Sequence, residues 1–332
     1  MRCMMYDSSM NTHPYLERFL HHTLDVTNFD FLGKYYKGKV RDVYAQPHRT
    51  ILISTDRQSA FDISWCTIPL KGQVLNQLSQ WWFSHIGNII PHHVIAVPDP
   101  NVMVVKPLTM LKLEIVVRGY LTGSTETSAW VHYARGSRSF CGAELPEGLH
   151  KNDPLPAPII TPTTKGEHDE RITPEEIVNR GIVTHAQWQE ISERALALFS
   201  FGQKIAASRG LILVDTKYEM GYDENGTLTI GDEVHTPDSS RYWLASSYKE
   251  RHSTGQEPEN FDKEFFRLWL ISEGFDPQHP ESTKPTLTDD SRLMLASKYV
   301  DLYERMTGNT FVPPTEIDVL SRIEKNLARY LP

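Results

Sequence analysis

At 332 residues, with 39% hydrophobic and 23% charged residues, the chain has the balance of a globular protein of one large or two modest domains. A formal net charge of -8 argues against a dedicated nucleic-acid binder, and the longest apolar runs, such as Ile51-Leu52-Ile53 and Ile115-Val116-Val117, are far too short to cross a bilayer. The three cysteines, Cys3, Cys66 and Cys141, lack metal-ligand spacing and the even count of a disulfide framework, and residues 1–14 read as a polar extension without an apolar leader, so a cytoplasmic location is expected.

In chain order, strands are expected over 39–44 and 50–54 around a Gln46-Pro47-His48 turn. Leu75, Leu78, Trp82 and Ile86 fall on one face of a predicted helix over 75–86. His92-His93 beside Pro91 reads as a solvated turn, and a strand over 102–106 stops at Pro107. A first domain over 15–107 and a second over 108–332 follow from that break. The β-branched run 113–117 reads as a strand leading into a loop, Arg118 to Ser124. Pro146, Pro154, Pro156, Pro158 and Pro162 exclude helix and predict a long ordered loop over 144–164, the kind of segment that often carries function. Thr173 caps a helix with Pro174 in its first turn, and further helices are expected over 185–209, 262–273, 291–307 and 314–330.

The most informative stretch is 211–241. Side chains repeat every two residues along a strand, so Asp215, Lys217 and Glu219 share a face. Asn225-Gly226 signals a hairpin, and a two-residue loop there sets Glu219 opposite Asp232 on the returning strand 227–234. A four-residue loop keeps Asp232 on that face, whereas a bulge removes the argument. Facing carboxylates need a positive charge between them. Either Lys217 supplies it, on a salt-bridged sheet surface, or a divalent cation does, and oxygen-only ligands suit Mg²⁺. The turn Thr236-Pro237-Asp238-Ser239-Ser240-Arg241 either holds an anion through the Arg241 guanidinium or pairs Arg241 with Asp238. Lys37-Gly38-Lys39-Val40-Arg41 is either a phosphate-holding turn or a solvated basic strand. Arg118 to Ser124 is similarly a second phosphate grip or a simple turn.

These segments resemble the SAICAR synthetase family. The resemblance rests on Gly38-Lys39-Val40-Arg41-Asp42-Val43-Tyr44, Ser54-Thr55-Asp56-Arg57-Gln58-Ser59-Ala60-Phe61-Asp62, Lys71-Gly72-Gln73-Val74-Leu75-Asn76, Val117-Arg118-Gly119-Tyr120-Leu121-Thr122-Gly123-Ser124 and Asp215-Thr216-Lys217-Tyr218-Glu219. Gly231-Asp232-Glu233-Val234 with Thr236 to Trp243 completes it, and the blocks run in family order. It implies an α+β fold in two parts with antiparallel sheets, a small N-terminal domain over the nucleotide, a larger C-terminal domain for metal and substrates, and an ATP cleft between them. It also implies a ligase that uses ATP and Mg²⁺ to join L-aspartate to the carboxylate of CAIR, an aminoimidazole ribonucleotide, through an acyl phosphate.

By the same resemblance Gly38, Lys39 and Arg41 hold ATP phosphates, while Lys106, Glu114 and Asp215 lie by the nucleotide. Glu219 and Asp232 are the expected Mg²⁺ ligands. Arg118, Ser124 and Arg241 grip the ribonucleotide phosphate, Lys217 and Asp238 border the reacting carboxylate and ribonucleotide, and Lys165, His168 and Asp169 belong to a mobile substrate loop. Lys217, Arg241 and Lys39 are the expected catalytic groups. Here Lys165 runs directly into Gly166-Glu167-His168-Asp169-Glu170, a shorter loop than relatives usually carry. The partners are therefore small anionic molecules, with no nucleic acid or membrane. A small-molecule kinase and a non-catalytic nucleotide-binding protein are the rival readings.

Overall fold

The computed structural model describes residues 13–61, 63–125, 128–166, 170–279, 281 and 284–330, and the chain divides into two compact units. One comprises the chain up to Leu78, Ala96–Val104 and the chain from Phe265; the other comprises Ser79–Ile95 and Val105–Glu264. Both combine antiparallel sheet with helices, the α+β class expected. The units interleave along the chain, so a cut at 107/108 separates them only in part. The last segment returns to the first unit because its helices are needed there to close the core.

In the first unit, strands β1 (Lys34–Lys37), β2 (Arg41–Gln46) and β3 (Arg49–Ser54) meander, and a crossover places β6 (Val94–Asp99) and β7 (Val102–Val105) in the order β1-β2-β3-β7-β6. The intervening β4 (Arg57–Ala60) and β5 (Ile63–Thr67) form a separate hairpin. β1 escaped the sequence reading because all four of its residues are exposed and no alternation marks it. The predicted helix begins at Lys71 and runs to Ile86, earlier than its apolar stripe suggests. Gly72 in its first turn donates its N–H to Asp56 at 2.8 Å, and a Cβ there would lie 2.3 Å from the Ser54 carbonyl, so only glycine fits. The C-terminal helix Asp289–Thr307 brings Leu295, Ala296, Tyr299 and Val300 into one core with Leu16, Phe19, Val74 and Leu75. The terminal helix Val319–Leu327 seats Ile323 and Leu327 against Ile51, Ile53 and Val104.

The second unit is built on a sheet ordered β12-β9-β14-β17: β9 (Leu113–Tyr120), β12 (Pro154–Ile160), β14 (Leu211–Tyr218) and β17 (Ser240–Leu244). The short strand β8 (Thr109–Met110) pairs elsewhere, β10 (Ser139–Phe140) pairs β11 (Ala143–Glu144), and β13 (Thr163–Thr164) adds to β9. The proline-rich stretch is therefore not loop throughout. Proline cannot donate to a ladder but is tolerated at a sheet edge. β12 is such an edge, pairing with β9 at Pro154 and at Ile159–Ile160 with a register shift between. The long helix His185–Ser208, capped by Thr184 in a reciprocal box with Gln187, buries Ile191, Leu198 and Phe199. Its Gly202 permits close approach: a Cβ there would sit 2.3 Å from His235 Cε1.

Candidate active site

β9 alternates buried and half-buried residues along its whole length. Leu113, Ile115, Val117 and Gly119 form the buried set, and a Cβ on Gly119 would meet Phe199 of the long helix at 3.3 Å. Glu114, Val116, Arg118 and Tyr120 form the other face. The strand thus continues through Arg118, where a loop was expected, and fixes that guanidinium on a sheet surface.

A row of polar side chains crosses the sheet on this face. Asp215 of β14 stands opposite Arg118 of β9 on one side and Arg241 of β17 on the other. Arg118 donates from Nη1 to Asp215 Oδ2 at 3.2 Å and from Nε to Thr161 Oγ1 at 2.9 Å. Arg241 donates from Nη1 to the same Asp215 oxygen at 2.5 Å and from Nη2 to Glu264 at 3.3 Å. Ser124 completes the row by donating to Glu264 Oε1 at 2.6 Å. Burial lowers the Arg118 pKa; Asp215 counters this and Arg241 adds to it. At Arg241 burial also disfavours the charge, but Asp215, Glu264 and Asp262 outweigh it and raise the pKa. Arg241 Nε is nevertheless buried without a hydrogen-bond partner. A buried charged donor left unpaired is costly.

A second group lies next along the same strands. Lys217 Nζ donates to Glu114 Oε1 at 2.7 Å and to Glu219 Oε1 at 2.8 Å. Lys165 contacts the other Glu219 oxygen, and Thr163 donates to Glu114 Oε2 at 3.3 Å. Burial disfavours the Lys217 charge, yet Glu219, Glu114 and Asp232 overcome it and raise its pKa.

The hairpin argument that paired Glu219 with Asp232 does not hold. β15 (Met220–Tyr222) and β16 (Leu228–Ile230) register Tyr222 with Leu228, leaving a five-residue loop, 223–227. Glu219 therefore faces Gly231, whose N–H it accepts at 2.9 Å. The chain then kinks at Asp232, where φ is +55°, ending the alternation. Asp232, which lies beyond the paired residues of β16, still favours the Lys217 charge.

The remaining expected residues fall as follows. Gly38, Lys39 and Arg41 lie in and just after the β1–β2 turn of the first unit, where Gly38 N–H donates to Arg41 O at 2.8 Å. Lys106 follows β7, is exposed, and donates its N–H to His93 O at 2.7 Å. Asp238 sits in the turn closed by Ser240 N–H to Thr236 O at 2.9 Å. Arg241 pairs with Asp215 and Glu264. His168 and Asp169, like Asp62, lie outside the described residues.

Glu264 is the residue that sequence reasoning missed. In the sequence it reads as an ordinary acid in the first turn of the helix Lys263–Ser272. Its signal was the preceding Asp262, whose carboxylate accepts from Glu264 N–H and Tyr242 N–H, each at 2.7 Å, tying that helix start to β17.

The acids around Lys217 carry hard oxygen donors, but among the described residues the group whose ligand atoms lie within 4.8 Å of one another is His13, Asp301 and Glu304, not these. Glu219, Glu114 and Asp232 offer oxygens only, and both Glu219 oxygens already bear ammonium groups, so the carboxylate stands in a place that attracts positive charge.

The SAICAR synthetase family model matches residues 34–281. The phosphoribosylaminoimidazole-succinocarboxamide synthase of Legionella pneumophila (strain Paris) is 50% identical over 301 residues, 90% of this chain and 96% of its own. Among solved structures, the SAICAR-synthase from Saccharomyces cerevisiae complexed with SAICAR aligns with TM-score 0.76 at 30% identity, covering 88% of this chain and 100% of that one. A type-2 SAICAR synthetase in complex with ADP aligns with TM-score 0.64 at 25% identity, covering 84% and 100%. The chain belongs to the SAICAR synthetase family.

Proposed function

We propose that, as a member of this family, the protein is the ATP-dependent carbon–nitrogen ligase of purine biosynthesis that joins L-aspartate to CAIR, giving SAICAR, ADP and phosphate. The observation that supports this reading beyond family membership is that Arg118, Arg241 and Lys217 stand on one face of the sheet, each held by carboxylates. The substrates are anions, and Arg118, Arg241, Lys217 and Lys165 are the cations that this face would offer them.

The carboxylate of CAIR is a poor electrophile until one oxygen is phosphorylated. ATP transfers its γ-phosphoryl group to that oxygen, the aspartate amine attacks the carbonyl carbon of the acyl phosphate, and phosphate leaves with the oxygen it received. The nucleophile is a substrate, so no side chain of the protein forms a covalent bond. Its residues position and neutralise.

Arg118, Arg241 and Ser124 hold the ribonucleotide phosphate, and Asp215 and Glu264 aim the guanidiniums. Asp215 thus serves the arginines rather than the nucleotide. Lys217 faces the reacting carboxylate and offsets its charge as phosphoryl transfer proceeds. Asp238 borders the ribonucleotide, and Lys165 reaches the same ground from the substrate loop. Gly38, Lys39 and Arg41 hold the nucleotide phosphates, with Lys106 and Glu114 by the nucleoside. Glu219 and Asp232 would hold Mg²⁺, which would supply charge neutralisation for the phosphates. The stretch up to 107 serves mainly the nucleotide, and the stretch from 108 serves the ribonucleotide and metal. A cytoplasmic location belongs to the same reading; among the described residues no helix is long and apolar enough to cross a membrane.

CAIR labelled with ¹⁸O in its carboxylate tests the chemistry. The released phosphate carries one ¹⁸O if the acyl phosphate forms. Unlabelled phosphate with labelled SAICAR contradicts it.

A further inference from the structure

The segment Thr55-Asp56-Arg57 has chemistry that the reading above does not use. Arg57 is 2% exposed, and its guanidinium faces the β1–β2 turn from beneath. Nη2 donates to Gly38 O at 3.0 Å and Nε to Lys39 O at 3.2 Å, while Nη1 contacts Asp25 O. The charge is balanced by Asp42, which Nη2 meets at 2.7 Å and whose second oxygen accepts from Thr27 N–H at 2.7 Å and Thr27 Oγ1 at 2.9 Å. Thr55 takes the next carbonyl, donating to Val40 O from N at 2.9 Å and from Oγ1 at 2.6 Å. Between them, residues 55 and 57 bond the carbonyls of Gly38, Lys39 and Val40 in succession. Asp56, between them, points elsewhere, accepting N–H groups of Leu24 at 2.7 Å and Gly72 at 2.8 Å.

A surface turn between two strands needs no such support for stability alone. Turn carbonyls are ordinarily solvated, and burying a guanidinium costs several kcal/mol unless its donors are all used. A turn whose successive carbonyls are held inward presents a fixed backbone for an anion to dock against. We propose that Arg57, with Thr55, is a positioning residue for ATP: it holds the Gly38–Val40 turn in the shape that receives the nucleotide phosphates. The proposal rests on the reading that this turn binds those phosphates.

The test compares Arg57→Lys, Thr55→Val and Lys39→Ala, measuring KM for ATP and for CAIR and the Kd for ADP. Arg57→Lys keeps the charge beside Asp42 but cannot fork between carbonyls. Thr55→Val keeps the volume and the backbone bond, and decides the matter if the arginine variant does not fold. The expected result is a rise of about tenfold in KM for ATP and Kd for ADP in Arg57→Lys, and a smaller rise in the same direction in Thr55→Val, with KM for CAIR unchanged. If Lys39→Ala weakens nucleotide binding while neither Arg57→Lys nor Thr55→Val does, or if both substrates suffer equally, the positioning role is overturned. If Lys39→Ala itself leaves ATP untouched, the turn is not the phosphate site and the proposal falls with that reading.

Discussion

Arg118 and Arg241, from strands on opposite sides of β14, donate to one and the same carboxylate oxygen, Asp215 Oδ2, at 3.2 Å and 2.5 Å. Asp215 is thus the carboxylate that the two guanidiniums share, with Glu264 a second partner of Arg241. Asp215→Asn keeps the shape and removes the charge. It should destabilise the unliganded protein by about 3 kcal/mol, because two half-buried cations lose their counter-ion. Saturating CAIR should then raise Tm more in the variant than in the wild type, since the phosphate replaces the missing charge. Thermal shifts with and without CAIR check this, and equal shifts would remove Asp215 from the phosphate site.

Removing Arg118 attacks the same site from the substrate side. Arg118→Ala should raise KM for CAIR by about 100-fold and change KM for ATP little, because a charge-assisted pair of about 3 kcal/mol is lost from one substrate only. Steady-state kinetics with each substrate varied in turn decide it; matched increases would contradict the assignment.

Asp232→Asn offers a clean probe of the metal proposal. The residue sits at φ +55°, a conformation asparagine adopts as readily as aspartate, so the backbone should not object. Mg²⁺-dependent turnover should fall by at least about 100-fold while Tm and circular dichroism stay close to wild type. Near-normal turnover would exclude Asp232 as a metal ligand.

Asp262 predicts a pH effect. Burial pushes its carboxyl up from 3.8 to about 7, against the N–H bonds from Glu264 and Tyr242 and the nearby Arg241 that favour the anion. A carboxyl raised in the folded state contributes stability that is present at low pH and is lost as pH rises through its folded pKa. Asp262→Asn removes this titration. The Tm advantage of the wild type over the variant should therefore shrink between about pH 4 and pH 7 and stay level above. A constant difference would show that the group does not titrate there.

Much of this site was legible in the sequence, and the parts that were not have physical reasons. Arg118, Lys217, Glu219 and Arg241 could be singled out because charged residues interrupt or flank runs that otherwise read as strands. What a single sequence does not carry is register. The sharing of Asp215 depends on a shift in β14 between Leu213 and Asp215, and no residue type there announces it. The Asn225-Gly226 signal marks a real turn, but Asp223 enlarges it by accepting from Asn225 N–H at 3.0 Å and Thr227 N–H at 2.8 Å, which moves Glu219 away from Asp232. Gly119 looked like the start of a loop because its purpose, admitting Phe199, lies on a helix far along the chain. The edge strand β12 was hidden by its prolines.

Phosphate release from ATP and Mg²⁺ in the presence of CAIR, with and without L-aspartate and with products identified by mass, tests the central claim most directly. The account predicts sustained release that requires aspartate and is matched mole for mole by SAICAR. Turnover that ignores aspartate and yields a phosphorylated small molecule would contradict it and make the protein a kinase.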